Sequence, residues 1–215
     1  MKTVDRIVSA LLSLAVIPTA IFAPILHWIY QILGYDIVNS LLGGKISDAA
    51  DTGMTEDNVS LYWLYDTLKG FGVDFKEMFA EKGPNPVTDP IMPFIKAAAI
   101  FFVITLVIAL VTGIVSAVTN AKKTRMVLSG CGIVSLIGMM VSFNKFAAPI
   151  INGDVTIGSL FDLPVLSFIA KVYTINLSSA WVFMVMLFAA VILWTLSFIL
   201  TSDKEEKNKK TKKTR

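Results

Sequence analysis

Apolar residues occur along this chain in four long runs, each separated from the next by a polar segment. A run of 18 or more apolar residues predicts a membrane-spanning helix, because only a helix satisfies its own backbone hydrogen bonds in lipid without leaving an open sheet edge. The predicted spans are residues 7–33, 97–119, 126–143 and 175–201. The segments around them are an N-terminus (1–6), a first external domain (34–96), a basic turn (120–125), a second external segment (144–174) and a tail (202–215).

The pattern therefore predicts an all-α membrane protein, a four-transmembrane-helix bundle. In the first external domain, Asp57 or Asn58 can cap a helix over residues 57–72, whose apolar positions Leu61, Leu64 and Leu68 share one face. A second short helix is expected over residues 74–79, before the Gly-Pro-Asn-Pro sequence that begins at residue 83. The domain between the first two spans is thus expected to be small and mostly helical.

The second external segment carries turn signals of its own. Asn152-Gly153 predicts a tight hairpin over residues 149–157. Asp162 and Pro164 are typical of a helix start, and the helix that follows, to about residue 173, is too short to span. We expect it to lie at the membrane interface.

Composition agrees with a membrane protein, since 55% of the residues are hydrophobic, above the 45–50% usual for soluble domains. Charge sets the expected orientation. The basic turn holds Lys122, Lys123 and Arg125 without an acid, the tail holds seven bases against three acids, and residues 34–92 hold ten acids against four bases. By the positive-inside rule, both termini are expected to be cytoplasmic in a multi-pass plasma membrane protein.

Small and hydroxyl-bearing residues recur along the first three spans at a spacing near 3.5, which is typical of helices that approach one another closely. The predicted helix-packing residues are Ser9, Ser13 and Ala20, then Thr105, Ala109, Thr112 and Ser116, then Cys131, Ser135, Gly138 and Ser142. The favoured interpretation is a packing face within the bundle. The alternative is a polar lining of Ser, Thr and Cys in a pore formed by several subunits.

Ionisable residues are nearly absent from the predicted spans, where transporters and proton pumps usually carry them. His27 is the candidate, and we expect it at the outer boundary beside Trp28; a pH switch there is the minority interpretation. Pro18 and Pro24 are each expected to bend the first span, as a static kink or as a hinge.

The residue inventory argues against an enzyme. One histidine and one cysteine cannot form the usual zinc sites or a His-dependent nucleophile, so no catalytic, cofactor or metal residue is predicted. The acids of the first external domain lack EF-hand spacing and are interpreted as a solvated face.

Contacts with partners are expected at both sides of the membrane. Tyr62 and Trp63 are the candidate interface residues, because aromatic side chains with polar tips suit headgroups or another protein. The Lys-rich tail is expected to attract anionic lipid, with docking of an acidic partner as the alternative. The charge division gives no reason to expect nucleic acid.

Four spans with cytoplasmic ends, a long first external loop and a shorter second one resemble the topology of claudin-type tetraspan proteins. Those proteins carry a Trp…Gly-Leu-Trp…Cys…Cys signature in the first loop, where this chain has only Trp63 and no cysteine. The resemblance is one of topology, and no function is carried over.

The leading hypothesis is a non-enzymatic membrane protein that acts by self-association or as a structural or accessory subunit of a membrane complex. One alternative is a subunit of an oligomeric channel or pore. A second alternative is an accessory or binding subunit of a transporter.

Overall fold

The computed structural model describes residues 2–32, 54–62, 66, 89–155 and 170–213. This part of the chain is mostly helical and also contains three strands. The elements in chain order are α1 (Lys2–Phe22), β1 (Pro24–Ile32), β2 (Met54–Ser60), α2 (Met92–Val118), α3 (Lys122–Ile151), β3 (Ala170–Leu177) and α4 (Ser179–Lys213).

The prediction of four apolar helices is confirmed. Segments Thr3–Phe22, Met92–Val118, Lys122–Ile151 and Ser179–Thr201 are long and apolar enough to cross a membrane. At a rise of 1.5 Å per residue, even the shortest of them is about 30 Å long, which matches the hydrocarbon thickness of a bilayer. These features indicate a multi-pass membrane protein.

The first apolar run contains a helix and a strand, and the prediction of one span over residues 7–33 is wrong. Helix α1 ends at Phe22, and β1 begins at Pro24. Proline has no N–H to continue the helical ladder, yet it is tolerated at the first residue of a strand. The residues after it, Ile-Leu-His-Trp-Ile-Tyr, include the β-branched Ile25 and Ile29 and the aromatic Trp28 and Tyr30, types that favour extended backbone. Pro24 therefore terminates the helix where a bend was expected.

The three strands form one antiparallel sheet in the order β2-β1-β3, so the fold is not all-α. In the central strand, His27 pairs with Asn58 of β2 on one side and with Asn176 of β3 on the other. Leu26 pairs with Val59 and Leu177 in the same way. Because adjacent strand residues point to opposite faces, one face carries this polar row and the other an apolar row.

Two further loop predictions are wrong where they fall on described residues. The predicted helix over 57–72 is wrong in its first residues, because residues 57–60 belong to strand β2. Among the later residues that are described, 61, 62 and 66 are helical. Residues 175–177 belong to β3, so the fourth span begins only at Ser179. The predicted helices over 74–79 and after Pro164 lie outside the described residues, apart from the overlap with β3.

The Asn152-Gly153 pair ends a helix and makes no hairpin. Helix α3 continues through Pro149 to Ile151, and Gly153 then adopts a φ of 82°. Its N–H donates to the carbonyl of Ile150 over 3.1 Å, and the N–H of Asp154 donates to the carbonyl of Pro149 over 2.9 Å. These two bonds are those of a Schellman cap, which needs the left-handed backbone that glycine adopts without strain.

The chain divides into two compact units. The first, here called the helical unit, comprises Met1–Ala20, Phe101–Ile137 and Val182–Arg215. The second, here called the sheet unit, comprises Ile21–Ile100 and Gly138–Trp181 and contains all three strands.

Candidate functional site

A buried ion pair links α1 to α3 in the helical unit. Arg125 donates from Nη2 to Oδ2 of Asp5 over 2.8 Å and from Nη1 to the hydroxyl of Ser9 over 2.9 Å. Arg125 is 0% exposed and Asp5 is 1% exposed. Asp5 Oδ1 and Arg125 Nε make no hydrogen bond within the described residues, so the two charges are joined through one bond and assisted by one hydroxyl.

Sequence reasoning missed this pair. The sequence pattern places Arg125 in the basic turn (120–125) and Asp5 in the N-terminus (1–6), and it predicts no contact between them. A usable signal was present, because Asp5 lies one helical turn before Ser9 and extends the small-residue spacing of α1 by one step. A buried pair of this kind is a structural link whose charges depend on each other, since either one alone would be costly to bury.

The predicted packing residues of α1 and α2 lie on buried faces. The buried positions are Ser9, Ser13, Ala20, Thr105, Ala109, Thr112 and Ser116. In the helical unit, several of their hydroxyls bond to the carbonyl four residues earlier in the same helix: Ser13 to Ser9, Thr112 to Ile108 and Ser116 to Thr112. Such bonds satisfy the hydroxyl without a partner helix and allow close packing.

Along α3 the placement is mixed. Ser135 and Ser142 are buried and Gly138 is half-buried, but Cys131 is exposed. The assignment of Cys131 to the packing face therefore does not agree with the structure. The buried face of α3 runs through Arg125, Ser129 and Gly132, and a step of 3.6 residues per turn places Gly132, one position later than Cys131, against the neighbouring helix.

Two glycines show how closely the helices of the helical unit approach. A Cβ atom added to Gly113 of α2 would lie 2.7 Å from Cγ of Leu14 in α1, and one added to Gly132 of α3 would lie 2.7 Å from Cζ of Phe188 in α4. Both distances are too short for non-bonded carbon atoms. A large side chain from one helix therefore fills the space that each glycine leaves.

One side-chain hydrogen bond joins α2 to α3 in the same unit. The hydroxyls of Thr105 and Ser135 are 3.0 Å apart, and Ser135 also donates to the carbonyl of Phe101 over 2.8 Å. Thr105 is in addition 2.9 Å from that carbonyl. Hydroxyl bonds of this type stabilise helix pairs in membranes by about 0.6 kcal/mol on average.

In the sheet unit, three hydrogen bonds to backbone carbonyls at the start of β1 connect this strand to the beginning of α4. The indole Nε1 of Trp181 donates to the carbonyl of Ile25 over 2.8 Å, and the N–H of Ser178 donates to the same carbonyl over 3.0 Å. The hydroxyl of Ser178 donates to the carbonyl of Pro24 and accepts from the N–H of Ala180 over 3.2 Å. Ser178 therefore caps α4 and ties its first turn to the central strand.

The remaining predicted site residues fall in or near the sheet unit. His27 is half-buried within the polar row of β1, where the sequence placed it at a helix end. Tyr62 is 58% exposed and its ring centroid lies 6.1 Å from that of Phe22; Trp63 lies outside the described residues. Pro18 lies inside α1 and is exposed.

The described residues contain no group of three or more His, Cys, Asp and Glu side chains able to hold a metal ion. Comparisons with protein-family models, with curated proteins and with solved structures found no match to this chain.

Proposed function

We propose that this chain is a non-enzymatic integral membrane protein that acts by association, either with copies of itself or as a structural or accessory subunit of a membrane complex. The observation that supports the proposal most directly is that its helical Ser and Thr side chains are buried and hydrogen-bonded within the chain. In the helical unit, Ser9, Ser13, Thr105, Thr112 and Ser116 are fully buried. Their hydroxyls bond to protein atoms, in most cases to the carbonyl four residues earlier in the same helix. The faces that carry them are buried, which leaves an apolar outer surface for lipid or for other spans.

The same observation weighs against the pore hypothesis. A pore between subunits requires polar side chains on the outer face of each subunit, where water can reach them. The outer faces of the described helices carry large apolar side chains such as Leu11, Val107 and Leu193. The rows of Ser and Thr hydroxyls on which the pore hypothesis rests are buried and hydrogen-bonded within a single chain.

Particle mass in mild detergent or in nanodiscs tests the proposal. We expect a compact homo-oligomer or a defined complex with another membrane protein. Reconstituted liposomes should release K⁺ no faster than empty liposomes. A ring-shaped particle with a central opening and K⁺ release above the control would contradict association as the function and favour a pore.

The proposed orientation places both termini in the cytoplasm. Thr124 lies in the first turn of α3 and Asp154 follows its last residue, Ile151, and both are exposed. If α3 spans the membrane, cysteines at these two positions report on opposite sides. In a Cys131→Ser background, we expect an impermeant maleimide to label Asp154→Cys on intact cells and to leave Thr124→Cys unlabelled. Labelling of Thr124→Cys alone would reverse the orientation.

A further inference from the structure

We propose that the hairpin of α2 and α3 binds one anionic phospholipid, with the headgroup at Lys123 and an acyl chain in the groove between the two helices. The site goes beyond the proposed association function and uses only residues of the helical unit. It requires the orientation given above, in which the turn between α2 and α3 meets the cytoplasmic leaflet.

The groove is open and almost entirely apolar. Its walls are formed by Phe101, Ile104 and Ile108 of α2 and by Val127, Gly130 and Val134 of α3. A Cβ atom added to Gly130 would meet nothing within 4 Å, so this glycine leaves real space in the wall. The lining hydroxyl of Ser135 already donates to the carbonyl of Phe101. The groove therefore suits a hydrocarbon chain.

The length of the groove favours an acyl chain over a helix of another protein. From Val127 to Val134 it extends about 10 Å along α3, at 1.5 Å per residue. One leaflet contributes about 15 Å of the hydrocarbon core. A partner helix would need a complementary face over both leaflets, whereas one acyl chain needs only this depth.

A cation lies above the groove on the same face of α3. Lys123 is exposed and precedes Val127 by four residues, which places both on one face of the helix. Its neighbour Lys122 is directed elsewhere, because its Nζ lies 6.0 Å from the ring centroid of Phe198 in α4. Lys123 also lies in the first turn of α3, where the helix dipole adds a partial positive charge. Charge and groove together match a lipid with a net negative headgroup.

Native mass spectrometry of the detergent-solubilised protein tests the site with two lipids of identical acyl chains, phosphatidylglycerol and phosphatidylcholine. We expect the wild-type protein to retain phosphatidylglycerol preferentially. Lys123→Gln should weaken retention of phosphatidylglycerol about fivefold, the value of one lysine near an anionic surface, and leave phosphatidylcholine unchanged. Lys122→Gln is the matched control, with the same loss of charge at the adjacent position, and should keep the preference.

Gly130→Leu tests the groove separately, because a Cβ atom at this position meets nothing within 4 Å and the rest of the side chain would extend into the groove. We expect weaker retention of both lipids, whereas Val107→Phe, which adds bulk to an exposed position of α2 outside the groove, should retain both. Equal retention of the two lipids by the wild type, or equal effects of Lys123→Gln and Lys122→Gln, would overturn the proposal. Particle mass read from the same spectra separates it from the association function: if Gly130→Leu changes the oligomer and leaves lipid retention intact, the groove holds a second copy of the chain.

Discussion

The helical unit and the sheet unit handle polar groups in opposite ways. In the helical unit, polar side chains point inward, and the charged pair Asp5–Arg125 and the hydroxyls of Thr105 and Ser135 are buried between helices. In the sheet unit, the polar row has exposed Asn58 and Asn176 on either side of His27, while the buried bonds are made mainly by backbone carbonyls. The first unit depends on side-chain pairing and close packing, the second on strand pairing.

The largest expected effect comes from breaking the ion pair of the helical unit. Asp5→Leu or Arg125→Met alone should lower the free energy of unfolding by about 3 kcal/mol, because each leaves one buried charge without its partner. The double variant should lose much less than the sum of the two. Unfolding in detergent, followed by circular dichroism, measures all three. Additive losses would show that the two charges do not depend on each other.

The next effect tests close packing and uses two glycines of α3. Gly132→Ala should lower the free energy of unfolding by about 1–3 kcal/mol, since the added methyl group meets the buried ring of Phe188. Gly130→Ala should be neutral or stabilising, because it meets nothing and alanine favours the helix. The same unfolding measurement compares them, and equal losses at both positions would contradict the assignment of Gly132 to the helix contact.

A smaller effect is expected in the sheet unit. Trp181→Phe removes the indole bond to the carbonyl of Ile25, which also accepts from the N–H of Ser178. Loss of this buried bond should cost about 1–2 kcal/mol. Trp194→Phe is the matched control, since Nε1 of Trp194 has no hydrogen-bond partner within the described residues. Amide hydrogen exchange in β1 should accelerate only in Trp181→Phe. Faster exchange in both variants would mean that a general loss of stability, and not the bond to Ile25, is responsible.

The smallest effect comes from the hydroxyl link between α2 and α3. Thr105→Val keeps the shape of the side chain and should cost about 0.6 kcal/mol. Thr19→Val removes a hydroxyl that bonds only within α1, to the carbonyl of Ala15 over 2.8 Å, and should cost less. A double cycle of Thr105→Val with Ser135→Ala measures the coupling, and a coupling of zero would remove this link from the packing of the unit.

The helical unit was largely accessible from the sequence. A helix in lipid needs a long apolar run, which is visible in the sequence. It also needs a face of small residues that lets a neighbouring helix approach, and this face appears as a periodic pattern, as Ser9, Ser13 and Thr112 illustrate. The pattern was ambiguous by one residue at Cys131, because positions 131 and 132 both lie about one helical turn before Ser135 and the spacing alone does not decide which of them faces the neighbouring helix. It also concealed Asp5 and Arg125, which lie beyond the apolar runs and whose pairing depends on two distant parts of the chain.

The sheet unit was not accessible in the same way. Residues 24–32 continue the apolar run of α1 without a polar break, and periodicity alone does not distinguish a short apolar strand from a helix segment. The pairing of β1 with β2 and β3 is set by segments far along the chain. Asn152-Gly153 predicts a hairpin by its composition, yet a glycine with the same left-handed backbone also caps helices. The outcome depends on whether the residues before it are helical, and here α3 continues to Ile151.

The position of β1 at the centre of the sheet constrains the order in which the chain can be completed. Ser178, which bonds to the carbonyl of Pro24, follows it by 154 residues. During synthesis β1 can pair with β2 early, but its second edge stays open until residues 170–177 emerge. Long-range pairing of this kind slows folding, and an open strand edge invites other strands to bind. The nascent protein therefore passes through a stage with three apolar helices synthesised and one sheet edge unprotected, and this is the stage at which it is most exposed to pairing with another strand.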